Sequence, residues 1–247
     1  MSERSERIDW LSTTEPHDAG DIDAFVAELR SRSVIYWEKH PFQQEMLAGR
    51  LSPEQIRGFV ANRWYYQMSL PRKDGAVISN CPVPSVRRKW YERLAYHDGP
   101  HDGEGGLADW LRLCDAVGLS RDEVLDERHI IPGVRFAVDR YVDFCRRAHW
   151  TAGVASSLTE LFAPDLMSQR IAAFRTHYPW IDANGLAYFE KRCVQAPKEA
   201  GFALDVVTTY CTTPDLRAAA CDALTLKCDV LWSMLDAIDY AYRDRRS

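Results

Sequence analysis

This 247-residue chain has no C-x-x-C pair, no excess of positive charge and no apolar run approaching the roughly 20 residues of a membrane span. A formal net charge of -5 argues against a general nucleic-acid binder, although it leaves room for a local basic pocket. The seven cysteines (81, 114, 145, 193, 211, 221 and 228) lack zinc spacing and read as reduced thiols in helices of a cytoplasmic protein. Met1 to Asp9 is polar and charged, so no secretory signal is expected there. Alternating Val/Ile/Thr runs bounded by two-residue turns are absent, which excludes a sheet-based fold. There is no H-E-x-x-H or E-x-x-H, so neither a zincin site nor a di-iron bundle is expected. The glycines between 103 and 106 lack the spacing, the following Lys-Ser/Thr and the preceding strand of a phosphate loop. No G-x-S-x-G elbow is present.

Helical periodicity is what remains. Residues 1–20 read as a loose tail and 21–242 as one helical domain, with a short tail at 243–247. Ile22, Val26 and Leu29 share a face, with Asp21 expected as their N-cap. Ser52-Pro53-Glu54-Gln55 has the form of a capping box with proline at the first helical position. Its helix should run towards Leu70, break or kink at Pro71, and be followed by a further one over Lys73 to Ser79. Further helices are expected over Pro84 to His97, Gly106 to Val117, a short one capped by Ser120, Pro132 to His149, Thr151 to Phe162, and Pro179 to Ala196. Thr213-Pro214-Asp215 opens the longest. The fold class is all-α, a compact bundle of about eight to ten helices with short connections.

Several polar side chains interrupt faces that otherwise point inward. Arg63, Tyr66 and Gln67 fall at i, i+3 and i+4. Arg93 and His97 fall at i and i+4, and Tyr188, Arg192 and Gln195 at i, i+4 and i+7. Lys227 occupies the stripe of Leu231, Met234 and Ile238, where a lysine must snorkel, pair or face a wet cavity. Any one of these alone is ordinarily a surface or hydrogen-bonded core residue. Several helices each turning a cation plus a phenol, amide or imidazole inward would instead build a cationic cavity suited to a multiply carboxylated ligand.

Seven runs, in order along the chain, together resemble the pyrroloquinoline quinone synthase family. They are His40-Pro41-Phe42, Val60 to Gln67, His97-Asp98-Gly99, Pro132 to Val138, Ser156 to Pro164, His177-Tyr178-Pro179-Trp180 and Leu231 to Asp236. The resemblance implies a fold similar to haem oxygenase and the thiaminase-like TenA proteins. It also implies a homodimer, and an oxidase that uses dioxygen as co-substrate without metal or organic cofactor. Such an enzyme closes a ring on a bicyclic tricarboxylated quinone precursor, oxidises it and releases hydrogen peroxide. Matched to these motifs, His97, Tyr188 and Arg192 would be catalytic. Arg63, Tyr66, Gln67, Arg93, Tyr141, Glu160, Arg170 and Lys227 would bind substrate. Related di-iron oxidases carry His, Asp and His where this chain has Tyr188, Arg192 and Gln195, and a cation at Arg192 would repel a metal. Three positions depart from the family, which has histidine where this chain has Trp37, Met167 and Phe202. They keep two other readings open: a paralogous oxidase of another amino-acid-derived or quinone-like precursor, and a non-catalytic quinone-binding protein.

Overall fold

The computed structural model describes residues 19–162 and 165–243. Residues 1–18 and 244–247, most of the two expected tails, lie outside the described residues. Among those described there are eleven α-helices and no strand, slightly more helices than expected. In chain order they are α1 (Ala19–Ser31), α2 (Pro41–Leu47), α3 (Pro53–Asn80), α4 (Pro84–Asp98), α5 (Gly105–Ala116) and α6 (Arg121–Leu125). Then come α7 (Pro132–Arg147), α8 (Trp150–Ala155), α9 (Leu166–His177), α10 (Ala187–Tyr210) and α11 (Pro214–Tyr242). None is long and apolar enough to cross a membrane.

The expected starts of three helices are formed by the expected atoms. Ser52 Oγ accepts from the Gln55 N–H while Gln55 Oε1 accepts from the Ser52 N–H, closing the capping box of α3. Ser120 and Thr213 cap α6 and α11 in the same way through one oxygen each. Asp21, by contrast, is not a cap. It lies inside the first turn of α1, where its carboxylate favours the helix dipole and pairs with Arg217 of α11 at 2.6 Å.

Pro71 does not end its helix: α3 runs through it for 28 residues, about 42 Å at 1.5 Å per residue. A proline inside a helix costs ~3 kcal/mol locally, and tertiary burial on both sides overrides it. Beyond Pro71, Asp74 is wholly buried, accepts from Trp90 Nε1 at 2.8 Å and pairs with Lys73 at 2.7 Å, so the second half of α3 is pinned against α4. The same override carries α10 through Pro197. The helix expected over Pro179 to Ala196 therefore starts later and ends later. Residues 179–182 are not helical, and a 3-10 turn at Ala183–Leu186 precedes α10; there Gly185 packs so tightly on α5 that a Cβ would stand 2.4 Å from that of Ala116. The helix expected over Thr151 to Phe162 is also interrupted. Ser156 bonds back to the Gly153 carbonyl at 2.6 Å and Ser157 receives Lys73, so the chain turns into a 3-10 segment at Leu158–Leu161. Helices α2 and α9 lacked a clear sequence signal; α2 starts on His40, whose Nδ1 accepts from the Phe42 N–H.

The Gly-rich loop between α4 and α5 packs against His97 at the end of α4. Gly99 and Gly105 both have positive φ (79° and 84°), and their backbones touch: a Cβ on Gly105 would lie 2.5 Å from the Gly99 nitrogen. Gly105→Ala should therefore destabilise the chain by about 1–3 kcal/mol, read as a lower denaturation midpoint. An unchanged midpoint would mean that the loop can open without cost.

Candidate active site

Helices α3, α4, α7, α10 and α11, with Tyr36, Trp37, Ser157, Thr159, Glu160 and Met167, line a cavity of about 60 Å³. Nine of the eleven site residues expected from the sequence line it: Arg63, Tyr66, Arg93, His97, Tyr141, Glu160, Tyr188, Arg192 and Lys227. All but Glu160 are buried, and 29% of the Glu160 side chain remains exposed. The other two stand behind the wall, which corrects their expected placement. Gln67 accepts from the Tyr188 hydroxyl at 3.0 Å and so orients it. Arg170 is boxed in by the rings of Trp37, Phe59 and Phe189 at 4.9, 5.5 and 5.3 Å, and donates to Gln43 Oε1 at 2.5 Å. Gln195, the third member of its stripe, faces a separate outer cleft with Lys198 and Phe202.

Charges in the cavity form two groups. In the first, Glu199 Oε2 lies 2.7 Å from Arg93 Nη1 and accepts from Arg192 Nη1 at 3.0 Å, and Arg192 also donates to Glu160. Burial favours the protonated form of Glu199, but the two guanidiniums outweigh it and hold the carboxyl below its ordinary range. Burial opposes the charge of Arg192 too, and Glu160 and Glu199 more than restore it. Arg192 thus engages two carboxylates, and among the described residues no cluster of His, Cys, Asp and Glu could hold a metal ion. Lys73 adjoins this group, bound to Asp74 and to Ser157 Oγ at 2.7 Å each.

The second group has cations and donors without carboxylates. The Arg63 guanidinium lies over Trp37 and Tyr66 at 4.1 and 4.4 Å from their ring centroids. Burial, with Arg63 nearby, pushes Arg170 down to about 9. Lys227 Nζ sits 3.8 Å from the Tyr141 ring centroid and 4.2 Å from that of Tyr66, and hydrogen-bonds the Tyr66 hydroxyl. Trp37 Nε1, Arg63 Nε and Nη1, Gln67 Nε2 and Arg170 Nε are buried and have no acceptor among the described residues. Buried donors without acceptors are costly, and an anionic ligand in the cavity would satisfy those of Trp37 and Arg63, which line it.

His97 closes the α4 end. Its Nδ1 has no partner among the described residues and stands where a Cβ on Gly106 would come within 3.0 Å. Burial first, then Arg192, Arg93 and Lys73, lowers its pKa well below the ordinary value, so the imidazole is neutral at pH 7. The unfolded chain takes up a proton below about pH 6.5 that the folded chain refuses. Stability should therefore fall by about 1.4 kcal/mol per pH unit through this one group as pH drops below 6.5. His97→Gln should flatten that slope in urea denaturation at pH 7.5 and 5.5; equal slopes in both chains would contradict a neutral buried imidazole.

Tyr188 is held from behind by Trp110 of α5, whose ring meets it edge-on at 4.9 Å and whose Nε1 donates to the Val60 carbonyl. Lys73, Tyr36, Ser157 and Thr159 also line the cavity, although the sequence reading did not select them. Lys73 had a signal: it continues the face of Arg63 and Tyr66 at i+10 and i+7, visible once Pro71 is read as internal. Two of the three departures from the family pattern, Trp37 and Met167, face the cavity. The third does not, for Phe202 packs on Trp90 at 6.3 Å in the outer cleft.

Comparisons with known proteins agree with this architecture. Pyrroloquinoline-quinone synthase of Klebsiella pneumoniae (strain 342) is 47% identical over 223 residues, covering 90% of this chain and 89% of that protein. The protein of the same name from Pseudomonas aeruginosa (strain LESB58) is 47% identical over 228 residues, covering 92% and 91%. Among solved structures, a Shewanella denitrificans domain of unknown function with a heme oxygenase-like fold superimposes with a TM-score of 0.74 at 12% identity. It covers 93% of this chain and 95% of that one. A TenA homologue from Pseudomonas syringae pv. tomato gives 0.67 at 13% identity, covering 93% and 98%. The fold is therefore heme oxygenase-like. Residues 27–237 match the TENA/THI-4/PQQC family, and the chain belongs to it.

Proposed function

We propose that this chain is a pyrroloquinoline-quinone synthase, an oxidoreductase with dioxygen as acceptor. It closes the ring of a tricarboxylated quinone precursor and oxidises it, releasing hydrogen peroxide, with no metal or organic cofactor. The relatives at 47% identity bear that name. The observation that carries the reading is the charge inventory. Six buried basic side chains (Arg63, Lys73, Arg93, Arg170, Arg192 and Lys227) stand in or directly behind the wall, against three carboxylates (Asp74, Glu160 and Glu199). A ligand bringing three carboxylates balances that set.

In this reading Arg63 and Lys227 bind the ligand's carboxylates, and Arg170 adds positive charge from behind Trp37. A quinol passes electrons to oxygen by its own chemistry, so the protein has only to orient it, move protons and stabilise anions. Tyr188, oriented by Gln67, and Arg192 stand where reduced oxygen would be stabilised by a phenol and a guanidinium. Neutral His97 donates or accepts a proton at the α4 end. We place the enzyme in the cytoplasm as a homodimer, with no nucleic-acid or membrane partner.

Purified chain, stripped by chelator and checked for residual metal, should convert the precursor to the quinone in air with oxygen uptake and peroxide release. Loss of turnover on chelation, restored by iron, would refute the cofactor-free reading. Trp37 and Met167 favour a second reading, an oxidase for a differently shaped quinone-like precursor. Two imidazole positions of the cavity have become an indole and a thioether here, and a bulkier, less polar wall selects a different outline.

A further inference from the structure

Among the groups in and directly behind the cavity wall, few can accept a proton near neutral pH. Glu160 and Glu199 are tied to Arg192, and Asp74 to Lys73. Guanidiniums are not bases under these conditions, and burial raises the phenols Tyr36, Tyr66 and Tyr141 further from ionisation. His97 and Lys227 remain. His97 is ringed by the fixed cations Arg192, Arg93 and Lys73, which oppose its protonation both before and after proton transfer.

Lys227 is placed differently. From α3 it faces Arg63, Tyr66 and Lys73; from α7, Tyr141 and Cys145; on α11 itself, Cys228. Glu160, from the Leu158–Leu161 turn, lines the same cavity but is engaged by Arg192. No described carboxylate pairs with Nζ, and its one hydrogen-bond partner is the Tyr66 hydroxyl. An ammonium there gains the faces of two phenol rings but no carboxylate, and stands beside two other cations, whereas a neutral amine can take the Tyr66 O–H as donor and leaves no charge unpaired.

Resting on the synthase reading above, we infer that Lys227 meets the substrate as a neutral amine and takes a proton from it, acting as the general base of the cavity. Burial, Lys73 and Arg63 all lower its pKa well below the ordinary lysine value, in keeping with that state. In the step, a quinol O–H or ammonium N–H of the substrate breaks, an N–H bond forms at Nζ, and no electrons change hands. The substrate's carboxylates make the step favourable, because they supply the negative charge that the protein itself withholds from Nζ. Proton transfer then completes the cationic set that those carboxylates need, so binding and deprotonation reinforce each other. An amine starts about 4 pKa units more basic than an imidazole, and so remains the stronger acceptor after comparable desolvation.

Arginine separates a base from a fixed clamp, because it keeps the positive charge and cannot shed the proton. With the quinone precursor as probe, K227M and K227A should lose turnover by a factor of about 10²–10⁴. K227R should not recover it, and small amines added to K227A should, with a rate that rises with their basicity. The acid limb of kcat/KM should disappear in K227A rescued by a weakly basic amine. NMR of ε-labelled lysine in the substrate-free protein should show one signal, absent from K227R, that is neutral at pH 7.5. A K227R chain as active as wild type, or a Lys227 signal that is fully ammonium at pH 7.5, would overturn the proposal. K227M keeps an unbranched chain one heavy atom shorter and removes the charge, the basicity and the Tyr66 hydrogen bond, so its circular dichroism and melting curve guard against misfolding. A wild-type chain that consumes no oxygen with the precursor sinks the synthase reading, and this role with it. A wild-type chain that turns over beside an equally active K227R sinks the role alone.

Discussion

Arg192→Met should lower turnover by a factor of about 10²–10³ while leaving the chain folded. The guanidinium is buried and holds two carboxylates at once, and in the mechanism proposed above it stabilises anionic oxygen species together with Tyr188. Its loss does not strand both partners. Glu199 keeps Arg93 at 2.7 Å, and Glu160 reaches solvent with 29% of its side chain. The stability cost should therefore stay at about 1–3 kcal/mol, well short of that for an orphaned buried charge. Arg192 is also the foremost cation depressing His97, so the variant's imidazole should titrate closer to its ordinary value, visible by NMR. Arg192→Lys keeps the charge but cannot fork to both carboxylates, and should recover only part of the lost rate. Turnover within a few-fold of wild type in Arg192→Met would remove this residue from the chemistry.

Glu199→Ala should have the larger effect on stability. Glu199 sits between Arg93 and Arg192, and deleting it leaves two buried guanidiniums facing each other with one carboxylate fewer. Removing one partner of such a buried set costs about 3–5 kcal/mol, roughly 6–20 °C of melting temperature in a chain of this size. The pH dependence has a definite sign. Folding lowers the pKa of Glu199, so its contribution is present above the unfolded value near 4.3 and is lost as pH falls through the lower, folded value. Glu199→Gln, which keeps the shape and loses the charge, should be most destabilising at neutral pH. Its deficit in chemical denaturation should shrink as pH is lowered through about 4. A deficit that grows on acidification would mean that the carboxylate is not ionised in the folded chain.

Helix content and most helix starts were legible because capping chemistry is local. The Ser52 box, Ser120 and Thr213 needed only three or four residues to declare themselves. Nine cavity residues were legible because a cation or phenol on an inward helical face is a local pattern too, read together with the family resemblance. Three of the omissions have a shared physical cause. Lys73 and Asp74 follow Pro71, and Glu199 follows Pro197. A proline carries a strong local signal for a break, and reading one at each site cuts these residues off from the faces of Arg63 and Arg192. Only the tertiary burial of Asp74 against Trp90, and of Glu199 between two arginines, makes the helices continue. The family resemblance puts Arg170 in the cavity wall, and it cannot reveal that Trp37, where the family has histidine, stands between Arg170 and the cavity. Phe202 shows the same limit in reverse, since its departure from the family pattern lies in an outer cleft and leaves the cavity wall unchanged.

The most direct test mixes the chain with the quinone precursor without oxygen and then admits oxygen. Binding should perturb the precursor spectrum in the anaerobic phase. The oxygen pulse should then yield the spectrum of pyrroloquinoline quinone, with hydrogen peroxide released and no metal required. Tight anaerobic binding followed by no oxygen consumption and no product would contradict the enzyme assignment and make the chain a quinone-binding protein.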